Sequence, residues 1–277
     1  DNNGLYSVGE HLSKLDFPTD FDSVDRAAQR FRYVHDTYLR NNGIKTYLSV
    51  IPDKNVFIAS PNGYPDKDYE ALVRRLRSGF SQAEYIDISA LLSADDFYYT
   101  DSHWRQEKIM TVADEIADKM GAERIGQCEK HDTGVSFYGV YYGQAALPHA
   151  PESLFYLDNA VIRGLKVYNV ETSSDIPVYD LGAAAGRDPY EMFLGGARSI
   201  IRITNPNTTK KRRIIVFRDS FGSSIAPLLA AGYSEITLVD IRYISPSSLG
   251  KLIDFTKTDD ALFLYSASVI NNSETIK

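Results

Sequence analysis

The chain has 277 residues, 43% of them hydrophobic and 24% charged, and a net charge of −7, the balance of an ordinary soluble globular protein with room for one large domain. No basic stripe offsets the acidic balance, which argues against nucleic-acid binding, and the single cysteine, Cys128, excludes an intrachain disulfide and a zinc-finger site. No run of about 18 apolar residues occurs, so nothing reads as a membrane-spanning helix.

The chain starts at Asp1 with neither an initiator Met nor a visible signal peptide. It reads as a fragment, and removal of an export signal or anchor is compatible with that start. Residues 1–22 are polar and read as irregular surface chain. Val24, Ala27, Ala28, Phe31, Val34, His35 and Tyr38 then recur at helical spacing, with Asn41-Asn42-Gly43 as a stop. Lys45 to Ile51 reads as a strand ended by Pro52. A second helix is predicted from Pro65 to Arg77 on the stripe Tyr69, Leu72, Val73, Leu76. A short strand follows over 83–88 and a third helix over 105–120.

Between about 125 and 205 the helical periodicity stops. Short β-like runs appear at 135–142, 160–170, 176–181 and 199–203, separated by Gly, Pro and Asp. They predict a β-rich insertion within a single domain spanning 1–277. The α/β rhythm resumes with strand 213–217, helix 224–231, strand 235–240, helix 246–255 and strand 261–266. Gly232 reads as a helix cap, and Pro227 is tolerable only in a first turn, which places that helix start near Ser223 or Ser224. The alternation predicts an α/β fold with a largely parallel sheet. The basic run Lys210-Lys211-Arg212-Arg213 reads as a lead into its strand.

Arg218-Asp219-Ser220-Phe221-Gly222 follows the apolar run Ile214 to Phe217. A serine at such a strand-to-helix turn stands above the carboxyl edge of the sheet, where α/β proteins place their sites. The N–H groups of the next helix point at the same spot and suit an oxyanion. Ser220 is thus a candidate nucleophile, although the same residues also read as a turn in which Asp219 or Ser220 caps the helix.

A serine hydroxyl needs a base to act at neutral pH. Of five histidines, His35 lies on an amphipathic helix and reads as structural. His11, His131 and His149 lie in polar segments and read as surface residues. His103 follows Asp101 by two residues, so in an extended segment both side chains project to one side. Asp101 can then accept from Nδ1 of His103 and leave Nε2 for the Ser220 proton. Capping of the helix near Arg105 by Asp101-Ser102 is the competing use.

Asp101-Ser102-His103-Trp104 together with Arg218-Asp219-Ser220-Phe221 resembles the DHHW family, a branch of the SGNH-hydrolase-like proteins related to the alginate O-acetylation proteins. Further stretches are similar in order: Tyr47 to Lys54, Pro189 to Gly196, Ile241-Arg242-Tyr243 and Ala261 to Ser266. The second residue of the Asp-His-His-Trp signature is Ser102 here.

The resemblance implies an SGNH-like three-layer α/β fold with a mostly parallel sheet. It also implies an extracytoplasmic O-acyl esterase or O-acetyltransferase acting on cell-surface carbohydrate. Ser220 would be nucleophile, His103 base and then acid, and Asp101 the residue orienting His103, with no metal or organic cofactor. Gly195, Gly196, Arg198 and Gly222 would serve the oxyanion or substrate. Relatives often carry an amide after the paired glycines, where this chain has Ala197 and Arg198, so one donor is missing; such a loss costs roughly 3 kcal/mol of transition-state stabilisation. The missing donor favours a second reading, a catalytically silent binding or assembly protein of the cell envelope. A cytosolic small-molecule hydrolase is a third. Expected partners are carbohydrate or another acylated small substrate and a membrane-bound acyl donor. Phe137, Tyr138, Tyr141 and Tyr142 suit sugar stacking, though core packing is the commoner use of such residues.

Overall fold

A computed structural model describes residues 4–145 and 148–277; residues 1–3 of the expected irregular start lie outside it. The rest of that start is not irregular. β1 (Leu5–Val8) and β2 (His11–Lys14) form an antiparallel hairpin that buries Leu5, Tyr6 and Leu12. Tyr6 and Ser13 each donate at 2.6 Å to Asn55 Oδ1, which fixes the hairpin to the domain.

The strands that follow are β3 (Lys45–Ile51), β4 (Glu84–Tyr85), β5 (Glu129–Phe137), β6 (Glu152–Asp158), β7 (Lys166–Asn169), β8 (Ser174–Ile176), β9 (Ile200–Thr204), β10 (Arg213–Arg218), β11 (Glu235–Val239) and β12 (Asp260–Ser266). Eight of them form one sheet in the order β4-β3-β12-β10-β11-β9-β7-β8. From β4 to β11 all neighbours are parallel; β9, β7 and β8 continue the sheet antiparallel. The β-like span between 125 and 205 therefore divides. β5 and β6 pair only with each other, whereas β7, β8 and β9 belong to the main sheet. The run at 160–170 also begins as a helical turn, Ala160–Arg163, capped by the Asn159 side chain.

Both faces of the central strands are covered, which is why they read as unbroken apolar runs. On β10, Ile214 and Val216 face the core that contains the Met110–Lys119 helix, and Ile215 and Phe217 face the Phe21–Val34 and Tyr69–Gly79 helices. This is a three-layer α/β arrangement with β10 between β12 and β11. Asp20 caps the first of these helices and Asp68 the second, each accepting from the backbone N–H three residues on. The second helix thus starts at Tyr69 rather than Pro65, because Lys67 is drawn inward to Asp16 and Asp53.

Two other predicted helices are broken. After β10 the chain makes one α-turn, Gly222–Ile225, and then a 3-10 stretch, Ala226–Gly232. Gly232 is not a left-handed cap; a Cβ there would meet Ala122 Cβ at 2.8 Å, so close packing requires the glycine. The segment expected as helix 246–255 is 3-10 in two pieces, Pro246–Lys251 and Phe255–Lys257. The basic run before β10 is tied internally: Arg212 donates to the carbonyls of Met120 and Gly121, and Lys210 pairs with Glu123.

Candidate active site

β10 ends at the carboxyl edge of the sheet with Arg218, and Asp219-Ser220 form the turn beyond it. Asp219 is buried and locks this turn. Its Oδ1 accepts from Phe221 N at 3.1 Å and its Oδ2 from Ser266 N, at the end of neighbouring β12, at 2.8 Å. Asp219 thus works within the turn and not as a helix cap.

His103 arrives from the segment after Phe97. Its Nε2 lies 2.7 Å from Ser220 Oγ, and its Nδ1 lies 2.6 Å from Asp101 Oδ1. The two residues meet through a turn, not through an extended pair as expected: Asp101 Oδ1 also accepts the backbone N–H of His103 at 2.9 Å. Asp101 Oδ2 takes the N–H of Val140 at 2.9 Å. Burial pushes the Asp101 carboxyl up, but the neighbouring His103 and these hydrogen bonds outweigh it and hold the group down at about 2. A carboxylate fixed on Nδ1 leaves Nε2 facing the serine, the arrangement in which an imidazole can take a hydroxyl proton.

The ring of His103 is held on its faces as well. Tyr190 stacks on it at 3.8 Å between centroids and 9° between planes, and Phe221 packs at 4.9 Å. The Tyr190 hydroxyl shares a 2.8 Å bond with Ser224 Oγ, which also accepts Trp104 Nε1–H at 2.9 Å. Trp104 is fully buried. Ser102, the departure from the signature, lines the cleft instead and leaves the Asp101–His103 pair intact.

The cleft at Ser220 has a volume of about 490 Å³, and its walls are rich in hydroxyls and amides, among them Ser13, Asn55, Ser102, Ser268 and Asn272. Of the four aromatic residues near 140, Tyr141 lines this cleft, Phe137 is buried against Tyr98, and Tyr138 and Tyr142 pack on each other.

The four residues expected to serve the oxyanion do not gather here. Gly196 N–H donates to Phe193 O and Gly222 N–H to Asp219 O, both at 3.1 Å within turns. Leu194, Gly195 and Gly196 all have positive φ, and this tight turn presents the Gly196 carbonyl to Arg218 Nη2 at 3.3 Å. Gly222 is required by packing, since a Cβ would fall 2.6 Å from Arg218 Cβ. Arg198 lies beside Gly195. None of the four lines the Ser220 cleft. The backbone N–H of Ser220 itself donates to no protein group among the described residues.

The remaining histidines lie apart from the serine, but His11 is buried and not at the surface as its polar segment suggested. It packs edge-on to Tyr99 at 4.8 Å. Burial, with Lys54 nearby, pulls His11 down to about 4. Cys128 is half-buried, and burial pushes its thiol up, away from a reactive thiolate. Lys54, Glu152, Gly139 and Tyr190 all pack or hydrogen-bond against the Tyr98–His103 segment, and none carries a sequence signal of its own. They lie far from Asp101 and Ser220 along the chain, and no local spacing betrays them.

The family model described as DHHW protein matches residues 88–239, more than half of the chain. The chain belongs to the DHHW family. Among solved structures, its fold is similar to that of a DHHW family protein from Eubacterium siraeum, at 17% identity and a TM-score of 0.78, covering 100% of this chain and 95% of that one. It is similar to Bacillus cereus PatB1 at 15% identity and a TM-score of 0.76, covering 99% and 98%. The O-acetyltransferase domain of Pseudomonas putida AlgJ is similar at 12% identity and a TM-score of 0.55, covering 90% and 84%. At these identities the likeness is one of fold. A comparison with curated protein sequences gives no significant match.

Proposed function

We propose that this DHHW protein is an O-acyl esterase or O-acetyltransferase acting outside the cytoplasm on cell-surface carbohydrate. The observation that carries the reading is the hydrogen-bonded chain from Asp101 through His103 to Ser220, at 2.6 and 2.7 Å. Ser220 Oγ attacks an acyl carbonyl while its proton passes to His103 Nε2. The tetrahedral intermediate collapses, the C–O bond to the donor alcohol breaks, and His103 returns the proton to that alcohol. Water or a sugar hydroxyl then attacks the acyl-serine by the same steps, giving hydrolysis or transfer. Asp101 orients His103 and stabilises its charged form.

The N–H of Ser220, without a protein acceptor among the described residues, would donate to the developing oxyanion, and a further donor would have to come from elsewhere than Gly196 or Gly222. A cleft lined by hydroxyl and amide groups suits a polyol such as a sugar. The fold likeness to an O-acetyltransferase domain adds support of a general kind.

The commitment of both glycine amides to turns favours the second reading, a binding or assembly protein of the cell envelope that keeps the fold without turnover. Acetate release from p-nitrophenyl acetate and from an acetylated sugar, with and without an acceptor sugar, separates the two. The native chain is expected to turn over and Ser220→Ala to be inert. Equal rates would overturn the triad, and a folded native chain without turnover would leave the binding reading.

A further inference from the structure

We propose that Lys54 is a positioning residue of this site, whose ammonium holds the Tyr98–Asp101 turn and thereby the Asp101 carboxylate on His103. The inference rests on the reading of Asp101, His103 and Ser220 as the reacting group. Lys54 closes the Ile51-Pro52-Asp53-Lys54 stretch just past the end of β3, at the carboxyl edge that also carries Ser220. Its side chain is fully buried, and it is among the residues lining the Ser220 cleft.

A buried ammonium is costly unless its charge is compensated, yet Lys54 forms no ion pair among the described residues. Its Nζ donates instead to three carbonyls, Tyr98 O at 2.8 Å, Tyr99 O at 3.0 Å and Asp101 O at 2.9 Å. An ammonium has three N–H donors, so each carbonyl receives one, whereas a neutral amine could serve only two of the three; Tyr99 O also accepts the Leu12 N–H. Burial pulls Lys54 down to about 7, while the carboxylates of Asp101, Glu152 and Asp53 pull it back and Arg105 opposes them. The Tyr141 ring lies 5.7 Å from Nζ, and His11 is the remaining titratable neighbour.

The opposite edge of the same turn is held by an anion. Glu152, at the start of β6, accepts the N–H of Tyr99 at 2.8 Å and of Thr100 at 3.0 Å, and also pairs with Arg105. The turn lies outside the regular strands and helices; the Phe97–Trp104 bridge and Tyr98 N–H donating to His103 O close its base, and the N–H groups of Leu12 and Tyr141 reach the Tyr99 and Thr100 carbonyls. A cation gathering its carbonyls and a carboxylate gathering its amides add to that frame and grip the stretch up to Asp101. Asp101 is the last residue held in this way, and its Oδ1 is the atom on His103 Nδ1. Loss of the grip acts on the carboxylate, since Lys54 Nζ bonds the turn carbonyls and not Ser220.

The test compares the native chain with Lys54→Met, which keeps the apolar stem, and Glu152→Gln. Three readouts are used: kcat and KM for p-nitrophenyl acetate, the far-downfield proton resonance of His103 Nδ1–H, and the melting temperature. Lys54→Met is expected to fold, to lose about 100-fold in kcat with KM within about twofold, and to lose or broaden the Nδ1–H resonance. A folded Lys54→Met that keeps both kcat and the resonance overturns the proposal. If Lys54→Met does not fold, Glu152→Gln decides, with lowered kcat and a weakened resonance supporting the proposal and unchanged values overturning it. If the native chain shows no turnover, the catalytic reading fails, but the resonance still reports whether Lys54 sets the Asp101–His103 contact.

Discussion

Gly139 lies directly against Asp101: a Cβ on Gly139 would come within 2.4 Å of Asp101 Cβ and of the Thr100 carbonyl oxygen. Backbone and side chain on the Asp101 side cannot yield without moving the carboxylate that holds His103. Gly139→Ala is therefore expected to destabilise the chain by about 1–3 kcal/mol and to lower acyl turnover more than its stability loss explains. Gly143, in the neighbouring turn, has open space around it, so Gly143→Ala should leave both unchanged. Urea denaturation and initial rates on the two variants check the contrast.

The Asp101 carboxyl also makes stability depend on acid. Its value in the folded chain, about 2, lies below the ordinary 3.8, so it contributes fully above that ordinary value and its contribution is lost as pH falls through about 2. The difference corresponds to about 2 kcal/mol. Asp101→Asn should remove this dependence, so that native and variant differ less at pH 2 than at pH 5 in denaturant midpoint. The buried His11, pulled down to about 4, acts in a higher window. There the unfolded chain takes up the proton first, and both proteins should lose stability alike. Turnover by Asp101→Asn should fall by about 10⁴, because the imidazole loses its tautomer and orientation.

The central sheet was legible because parallel strands covered on both faces are apolar at every position, as in Ile214-Ile215-Val216-Phe217. The meeting of Asp101, His103 and Ser220 within hydrogen-bond distance was legible because a short motif carries each end of that contact. The N-terminal hairpin has a local signal of its own: Gly9-Glu10 between Leu5-Tyr6-Ser7-Val8 and His11-Leu12-Ser13-Lys14 is a two-residue hairpin loop. The membership of β7, β8 and β9 in the main sheet left no local mark, since antiparallel pairing at a sheet's far end depends on partners distant in sequence. That the Gly196 and Gly222 amides are committed within turns left no local mark for a similar reason. A glycine reads the same whether its amide faces a ligand or, as at Gly196 and Gly222, closes a turn beside Arg218.

Lys67 is a further buried cation whose removal should be felt in the cleft wall. Its Nζ lies 2.6 Å from Asp53 Oδ2 and 2.9 Å from Asp16 Oδ2, and both aspartates line the Ser220 cleft. Lys67→Met leaves the buried Asp53 carboxylate and the half-buried Asp16 carboxylate without their counter-charge, a change that costs about 3–5 kcal/mol. A variant as stable as the native chain at neutral pH in urea melts would show that water already shields the cluster.

Tyr190 and His103 give the most direct test of how the base is held. The parallel stack at 3.8 Å fixes the imidazole plane, while the Tyr190 hydroxyl bonds to Ser224 and does not touch His103. The two contributions separate by substitution. Tyr190→Phe keeps the stacked ring and removes one buried hydrogen bond, a loss of about 1 kcal/mol in stability with little effect on kcat. Tyr190→Leu keeps apolar volume but removes the ring face, and aromatic pairs contribute about 1 kcal/mol beyond burial. A contribution of that size corresponds to roughly fivefold in rate. Tyr190→Leu should therefore lower kcat several-fold with KM unchanged, and Tyr190→Phe should not. If both variants lose the same kcat, the hydroxyl bridge to Ser224 and Trp104 holds the imidazole, and the stack does not.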